Sequence, residues 1–81
     1  MKEHVFPLGF LSVGKEGIVV QVKRGKGWRR RLLEMGIAEG AKVKVVQNVF
    51  PGPCVVALGN VRLMLGHGMA NRIMVREVNR V

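Results

Sequence analysis

The sequence predicts a single, mostly β domain, because apolar residues alternate along short segments that are separated by glycines. The chain has 81 residues, 48% of them hydrophobic, which allows one domain (residues 1–81) with one modest core. Its 11 glycines divide the chain into segments of strand length rather than helix length. Only one segment, in the first half, has the spacing of an amphipathic helix.

The first part of the chain is expected to be extended, then to turn, then to form a strand. Residues 14–17 are predicted as the turn and residues 18–22 as the strand. Because alternate side chains of a strand share a face, Ile18, Val20 and Val22 are expected to face the core. The residues of the opening segment that are expected to reach the core are Val5, Phe6, Leu8 and Leu11.

A helix is predicted from Gly27 to Met35, and it has a defined end. Trp28, Leu32 and Met35 recur at i, i+4 and i+7, so they share one helix face. Gly36 is expected to adopt the left-handed conformation that ends a helix, which lets Ile37 pack back on Leu32 as in a Schellman ending. The residues of this structural motif are Leu32, Met35, Gly36, Ile37 and Gly40.

The second half of the chain predicts further strands joined by tight turns. Proline and glycine at 50–53 force a turn, Gly59 and Asn60 form a two-residue hairpin loop, and 66–71 is a loop or a single helical turn. Ile73 and Val75 of the last strand are expected to face inward. The predicted strands are residues 42–47, 54–58, 61–64 and 73–78.

The predicted elements favour a closed architecture. Short antiparallel strands around one core fit a small barrel better than an open sheet, since closure removes exposed strand edges. The sequence therefore predicts a small SH3-like barrel of about five strands, with one short helix inserted after the first long strand.

No catalytic group can be assembled from the sequence. The chain has no Asp and no Tyr, and its five Glu residues are scattered among Lys and Arg. Ser12 lacks the G-x-S-x-G setting of a nucleophile, and Gly25–Gly27 lacks the spacing of a phosphate-binding loop. The chain is therefore expected to bind a partner, not to be an enzyme, and to have no small-molecule substrate.

Metal ligands are few, and no metal-binding residue is assigned. His4, Cys54 and His67 have no ligand-type spacing; His67 is expected to be exposed and Cys54 to lie in the core. No tightly bound cofactor is expected, and weak binding of Fe²⁺ or Zn²⁺ would need backbone oxygens or a second chain. The methionines expected to fill the core are Met35, Met64, Met69 and Met74.

The location of the protein is also predicted. Cys54 is the single cysteine, which suits a reducing compartment. The first residues lack the apolar region of a signal peptide, and no apolar stretch is long enough to cross a bilayer. The chain is expected to be cytoplasmic.

The charge of the chain indicates an anionic partner. Fourteen Lys and Arg against five acids give a net charge of +9, which suits nucleic acid, an anionic membrane or an acidic protein surface. Surplus cations can also merely keep a protein dispersed. Nucleic acid is disfavoured because Trp28 is the one aromatic residue in the basic segment, and stacking platforms use several. The predicted partner-binding residues, here called the basic strip, are Lys23, Arg24, Lys26, Trp28, Arg29, Arg30 and Arg31.

The run from Arg30 to Val45 resembles the R-L-x-x-M-G-[LI]-x-x-G-x-x-[VI]-x-V signature of the FeoA family of ferrous-iron transport proteins. The resemblance extends from Phe6 to Glu77, and its glycine-rich stretch Gly66–Gly68 departs from the charged residues that family members often carry there. The further residues that match the family pattern are Leu8, Leu11, Gly14, Gly17, Gly52, Pro53, Gly59, Leu63, Ala70, Ile73 and Val75.

The resemblance implies a function as well as an SH3-like fold. It implies a small accessory or regulatory protein of ferrous iron uptake, whose partner is FeoB, a membrane permease with a cytosolic GTP-binding domain. Membrane association would then come through this partner. The alternatives are a nucleic-acid-binding barrel and a transition-metal-responsive interaction domain, and a weak homodimer is a further expectation.

Overall fold

The computed structural model describes residues 4–23, 27–49 and 51–78, and within them the chain is mostly β, as predicted. Six strands form one antiparallel sheet in the order β1-β6-β2-β3-β4-β5, one strand more than expected. The strands are β1 Val5–Pro7, β2 Glu16–Val22, β3 Lys42–Asn48, β4 Cys54–Leu58, β5 Val61–Leu65 and β6 Ile73–Glu77. The helices are α1 Trp28–Glu34 and α2 His67–Ala70, and a 3₁₀ turn covers Leu8–Phe10.

One hydrophobic core joins the sheet to both helices. Strands β2 to β6, the 3₁₀ turn, α1 and α2 all contribute buried side chains to the same cluster, so the sheet curves around it. The expected inward positions of Ile73 and Val75 are confirmed, since both are fully buried. The buried hydrophobic residues are Leu8, Leu11, Val19, Val22, Leu32, Ile37, Val43, Val45, Cys54, Val56, Leu65, Ala70, Ile73 and Val75.

The predicted facing of β2 is confirmed at Val22 and wrong at Val20, because the strand contains a bulge. Val19 pairs with Val75 and Gln21 pairs with Met74, so Val20 is an extra residue without a partner on β6. The bulge lets Val19 and Val22 both face the core, while Val20 is exposed. The strand also begins earlier than predicted, since Glu16 and Gly17 already belong to it.

The predicted helix end is confirmed. Gly36 has φ of 91°, the left-handed conformation, and its N–H donates to the Leu33 carbonyl at 3.0 Å. The Ile37 N–H donates to the Leu32 carbonyl at 2.8 Å, which completes the Schellman pattern. Ile37 and Leu32 are both fully buried, so the helix end is fixed in the core.

Several side chains lie elsewhere than predicted. Met64 is 74% exposed because β5 ends the sheet, although Met35 and Met69 do pack against the core. Val5 is exposed, since β1 also lies at an end of the sheet. His67 is half-buried rather than exposed, and its Nε2 bonds to the Gly52 carbonyl oxygen, which joins α2 to the turn before β4.

The first connection of the chain, which joins β1 to β2, is held against the end of β3. The Asn48 side-chain amide donates to the Gly9 carbonyl oxygen at 2.8 Å and lies 3.4 Å from the Leu11 carbonyl oxygen. Beyond it, the Gly14 N–H donates to the Val45 carbonyl at 2.8 Å. These bonds position the 3₁₀ turn, whose Leu8 is fully buried.

Candidate interaction surface

The basic strip is centred on α1, the helix inserted between β2 and β3. Lys23 follows β2 and is exposed, and Arg29, Arg30 and Arg31 are exposed on α1. Arg24 and Lys26 lie outside the described residues. The structure thus brings four of the predicted cations to one segment of the surface.

Trp28 is held at the start of α1 by a residue that sequence reasoning missed. The guanidinium carbon of Arg72 lies 5.6 Å from the centre of the Trp28 ring, the distance of a cation–π contact. The Lys23 N–H donates to the Arg72 carbonyl at 2.7 Å, so the end of β2 and the residue before β6 meet beside Trp28. No local pattern links Arg72 to Trp28, because folding alone brings them together.

A second missed residue, Leu33, adds an apolar side chain to the strip. Leu33 is 51% exposed and follows Arg29 by four residues, so the two share the outer face of α1. On the same helix Arg30 and Glu34 form an i,i+4 ion pair at 3.9 Å, with both side chains largely exposed. Because arginine is enriched at protein interfaces, this face of α1 combines interface-type cations with an exposed apolar side chain.

The charges in the first turn of α1 oppose the helix dipole. The N-terminal end of a helix carries partial positive charge and favours Asp or Glu, yet the first turn of α1 has no acid and begins Trp28-Arg29-Arg30. Its N-cap is Gly27, with φ of 74° and no side-chain cap. Arginines at this position therefore lower the stability of the helix, which argues against a purely structural role.

The helix is fixed to the sheet at its other end. A Cβ added to Gly36 would come within 2.9 Å of Leu58 Cδ2, so the end of α1 lies directly against β4. Leu32 is fully buried and Met35 packs against the core. The strip is thus displayed on a helix whose inner face and C-terminal end are held rigidly.

The described residues do not fit a metal ion. They contain no group of three or more His, Cys, Asp or Glu side chains that could hold one. Cys54 is fully buried, and burial raises the pKa of its thiol, which disfavours the thiolate that binds metals. His67 uses its Nε2 on the Gly52 carbonyl, and the His4 ring lies 5.4 Å from that of Phe6.

Comparison with known proteins identifies the family. The family model described as the FeoA domain matches residues 6–77. The chain belongs to the FeoA family. It is 37% identical over 73 residues to the proposed Fe(2+) transport protein A of Methanocaldococcus jannaschii, a match that covers 90% of this chain and 88% of the relative.

Solved structures of FeoA proteins confirm the SH3-like fold. A crystal structure of an iron uptake regulatory protein, FeoA, superposes with a TM-score of 0.86 at 37% identity, covering 93% of this chain and 100% of the other. FeoA of Stenotrophomonas maltophilia, described as a prokaryotic SH3 domain protein complexed with zinc, gives 0.77 at 28% identity, covering 86% and 88%.

Membership of the FeoA family establishes the general role of the chain. FeoA proteins belong to ferrous iron transport and are non-catalytic transport accessory proteins, so the expectation that the chain is not an enzyme is confirmed. Within the part of the chain that the structure describes, no helix is long and apolar enough to cross a membrane.

Proposed function

We propose that this FeoA-family chain, acting as one domain over residues 1–81, is a cytoplasmic accessory protein that binds the FeoB permease. The basic strip is the proposed contact surface, and its anchors are Trp28 and Leu33. Membership of a family of ferrous iron transport proteins supports the process, and the exposed, cationic helix α1 supports the surface.

The observation that carries the proposal is the unfavourable placement of the arginines on α1. Arg29, Arg30 and Arg31 are exposed, and Arg29 and Arg30 lie in a first turn that lacks any acid. A cation there costs about 0.3–1 kcal/mol relative to an acid, because the helix dipole repels it. A sequence retains cations that lower helix stability when those cations bind a partner. An acidic or membrane-proximal surface of the permease supplies the complementary charge.

The apolar groups beside the cations give the surface an anchor. Trp28 is half-buried and positioned by Arg72, so little freedom is lost when a partner covers it. Leu33 is 51% exposed on the same helix. Aromatic and arginine side chains supply much of the binding energy of protein interfaces, and the strip offers both.

The proposal is tested by binding of the purified chain to FeoB in lipid nanodiscs, with empty nanodiscs and nanodiscs holding an unrelated permease as controls. We expect saturable binding to FeoB alone, weakened as salt concentration rises. Equal binding to empty nanodiscs would assign the strip to lipid, and no binding to any of them at low salt would refute the proposal.

A role as a transition-metal-responsive domain is the second candidate, because the Stenotrophomonas relative is complexed with zinc. The described residues of this chain offer no cluster of donor side chains, so any such response would need backbone oxygens or a second chain. Titration calorimetry with Zn²⁺ or Fe²⁺ decides it: heat of binding at a fixed stoichiometry supports a metal response, and no heat refutes it for the monomer.

A further inference from the structure

The two edges of the sheet are built differently. At one end, β1 has three residues and ends in Pro7, which cannot donate a hydrogen bond. At the other end, β5 has five residues, Val61–Leu65, with neither Pro nor Gly. Among residues 4–23, 27–49 and 51–78, no strand pairs with the outer side of β5. Thus β1 is a blunted edge and β5 is an open one.

Strand β5 is regular as well as open. It pairs with β4 from Leu58 and Val61 at the hairpin to Cys54 and Leu65 without a register shift, whereas β2 and β3 each contain a bulge. Natural edge strands are usually protected by bulges, prolines or several charges. On β5 the one protecting charge is Arg62.

The hairpin geometry determines which backbone groups of β5 are free. In a two-residue hairpin the residues that flank the loop, Leu58 and Val61, form a hydrogen-bonded pair. Hydrogen-bonded and non-bonded positions then alternate along an antiparallel ladder. The N–H and C=O groups of Arg62 and Met64 therefore point away from β4, toward the open side.

The side chains at this edge combine charge with exposed apolar surface. Arg62 and Met64 share the outer face of the sheet, and Met64 is 74% exposed. Arg62 pairs with Ala57, which pairs in turn with Lys44, so two cations flank a small residue on that face. Val61, on the opposite face, is 56% exposed.

We propose that β5 binds an extended acidic segment of a partner protein, which adds to the sheet as a seventh strand. Its backbone bonds to Arg62 and Met64, an acidic side chain lies beside Arg62, and an apolar side chain two residues away lies beside Met64. The net charge of +9 favours an acidic occupant and opposes a second copy of this chain. This surface is separate from the basic strip, so the inference goes beyond the proposed function.

The probe for the experiment is an acetylated and amidated peptide of sequence glutamate-valine-leucine-valine-glutamate-valine-glutamate. Its leucine and its second glutamate are two residues apart, so the leucine can lie opposite Met64 while that glutamate lies opposite Arg62. A second peptide carries lysine in place of each glutamate. A third carries N-methylleucine in place of leucine, which keeps the side chain but removes the backbone donor that faces Met64. Binding is followed at about 150 mM salt by amide chemical shifts of the labelled chain.

We expect the glutamate peptide to shift the amides of Val61–Leu65, and the N-methylated peptide to cause no shift. Arg62→Glu should lower the affinity for the glutamate peptide about fivefold and raise the affinity for the lysine peptide by a similar factor. A cross-strand charge pair contributes up to about 1 kcal/mol, which corresponds to that change. Lys42→Glu, the same change on the same face but on β3, should leave the affinity for the glutamate peptide within about twofold, since screened charges more than a Debye length apart interact weakly.

Four outcomes would overturn the proposal. These are no shift at millimolar glutamate peptide, shifts centred on α1, equal binding of the glutamate and lysine peptides, and a concentration-dependent dimer that Met64→Pro abolishes. The Met64 N–H points to the open side, so this proline removes no bond to β4. Such a dimer would show that a second copy of the chain occupies the edge.

Discussion

The guanidinium of Arg72 lies over the ring of Trp28, 5.6 Å from its centre, and so connects the loop before β6 to the start of α1. Trp28 is the single tryptophan of the chain, which makes its fluorescence a direct report on this contact. We expect Arg72→Ala to shift the emission to longer wavelength and to lower the free energy of unfolding by about 0.5–1 kcal/mol. Arg72→Lys keeps the charge without the planar group and should have a smaller effect.

Arg62→Ala is the control for this comparison, since Arg62 lies exposed on β5 and is not stacked on Trp28. It should leave the emission maximum unchanged. If Arg62→Ala and Arg72→Ala shift the emission equally, general charge and not the stacked guanidinium determines the environment of Trp28.

Charge reversal at the start of α1 should stabilise the fold. Arg29 is the second residue of the helix, where an acid is favoured, so Arg29→Glu is expected to raise the free energy of unfolding by about 0.3–1 kcal/mol. Arg31 lies in the last turn, where a cation is favoured, so Arg31→Glu should lower it. Urea unfolding measures the change in the free energy of unfolding for each variant. Because both variants lose the same net charge, the difference between the two changes reports the helix dipole. Equal changes would show that the helix dipole does not act here.

The helix end gives a prediction on stability alone. Gly36 and Gly40 have φ of 91° and 93°, so alanine is strained at both positions. A Cβ at Gly36 would lie 2.9 Å from Leu58 Cδ2, whereas one at Gly40 meets no atom within 4 Å. We expect Gly40→Ala to cost about 1–2 kcal/mol from backbone strain and Gly36→Ala to cost more. Chemical unfolding that gives Gly40→Ala the larger loss would contradict the close packing of α1 on β4.

Asn48 should be the main attachment of the first connection to the sheet. Its amide donates to the Gly9 carbonyl at 2.8 Å, and Asn48→Ala leaves that oxygen without this partner. We expect a loss of about 1–2 kcal/mol, together with faster hydrogen exchange at the Leu11 amide, which bonds within the 3₁₀ turn. Gln47→Ala, an exposed neighbour, is the control and should change neither. An unchanged exchange rate in Asn48→Ala would show that the connection is held by packing alone.

The parts of the fold that were predictable depend on neighbouring residues in the chain. The Gly36 helix end was predictable because a left-handed glycine followed by an apolar residue determines its own geometry. The facing of β2 was not, because the bulge at Val20 arises from pairing with β6. Likewise Met64 sits in an apolar pattern, and its exposure follows from the place of β5 in the strand order.

The candidate surface shows the same division. Its cations at Arg29, Arg30 and Arg31 are adjacent in sequence and could be recognised there. Arg72 could not, since it reaches Trp28 through the fold. Leu33 has an apolar side chain that a pattern assigns to the core, and the burial of Leu32 beside it leaves Leu33 on the outside of α1.

The most direct test of the proposed function compares two charge-reversed variants in their affinity for FeoB in nanodiscs. Arg29→Glu with Arg30→Glu alters α1, and Lys42→Glu with Lys44→Glu makes the same change of charge on the outer face of β3. We predict that the α1 variant binds about tenfold or more weakly while the β3 variant stays within about threefold of the unaltered chain. Equal losses, or unchanged binding by a folded α1 variant, would contradict the assignment of the basic strip as the contact surface.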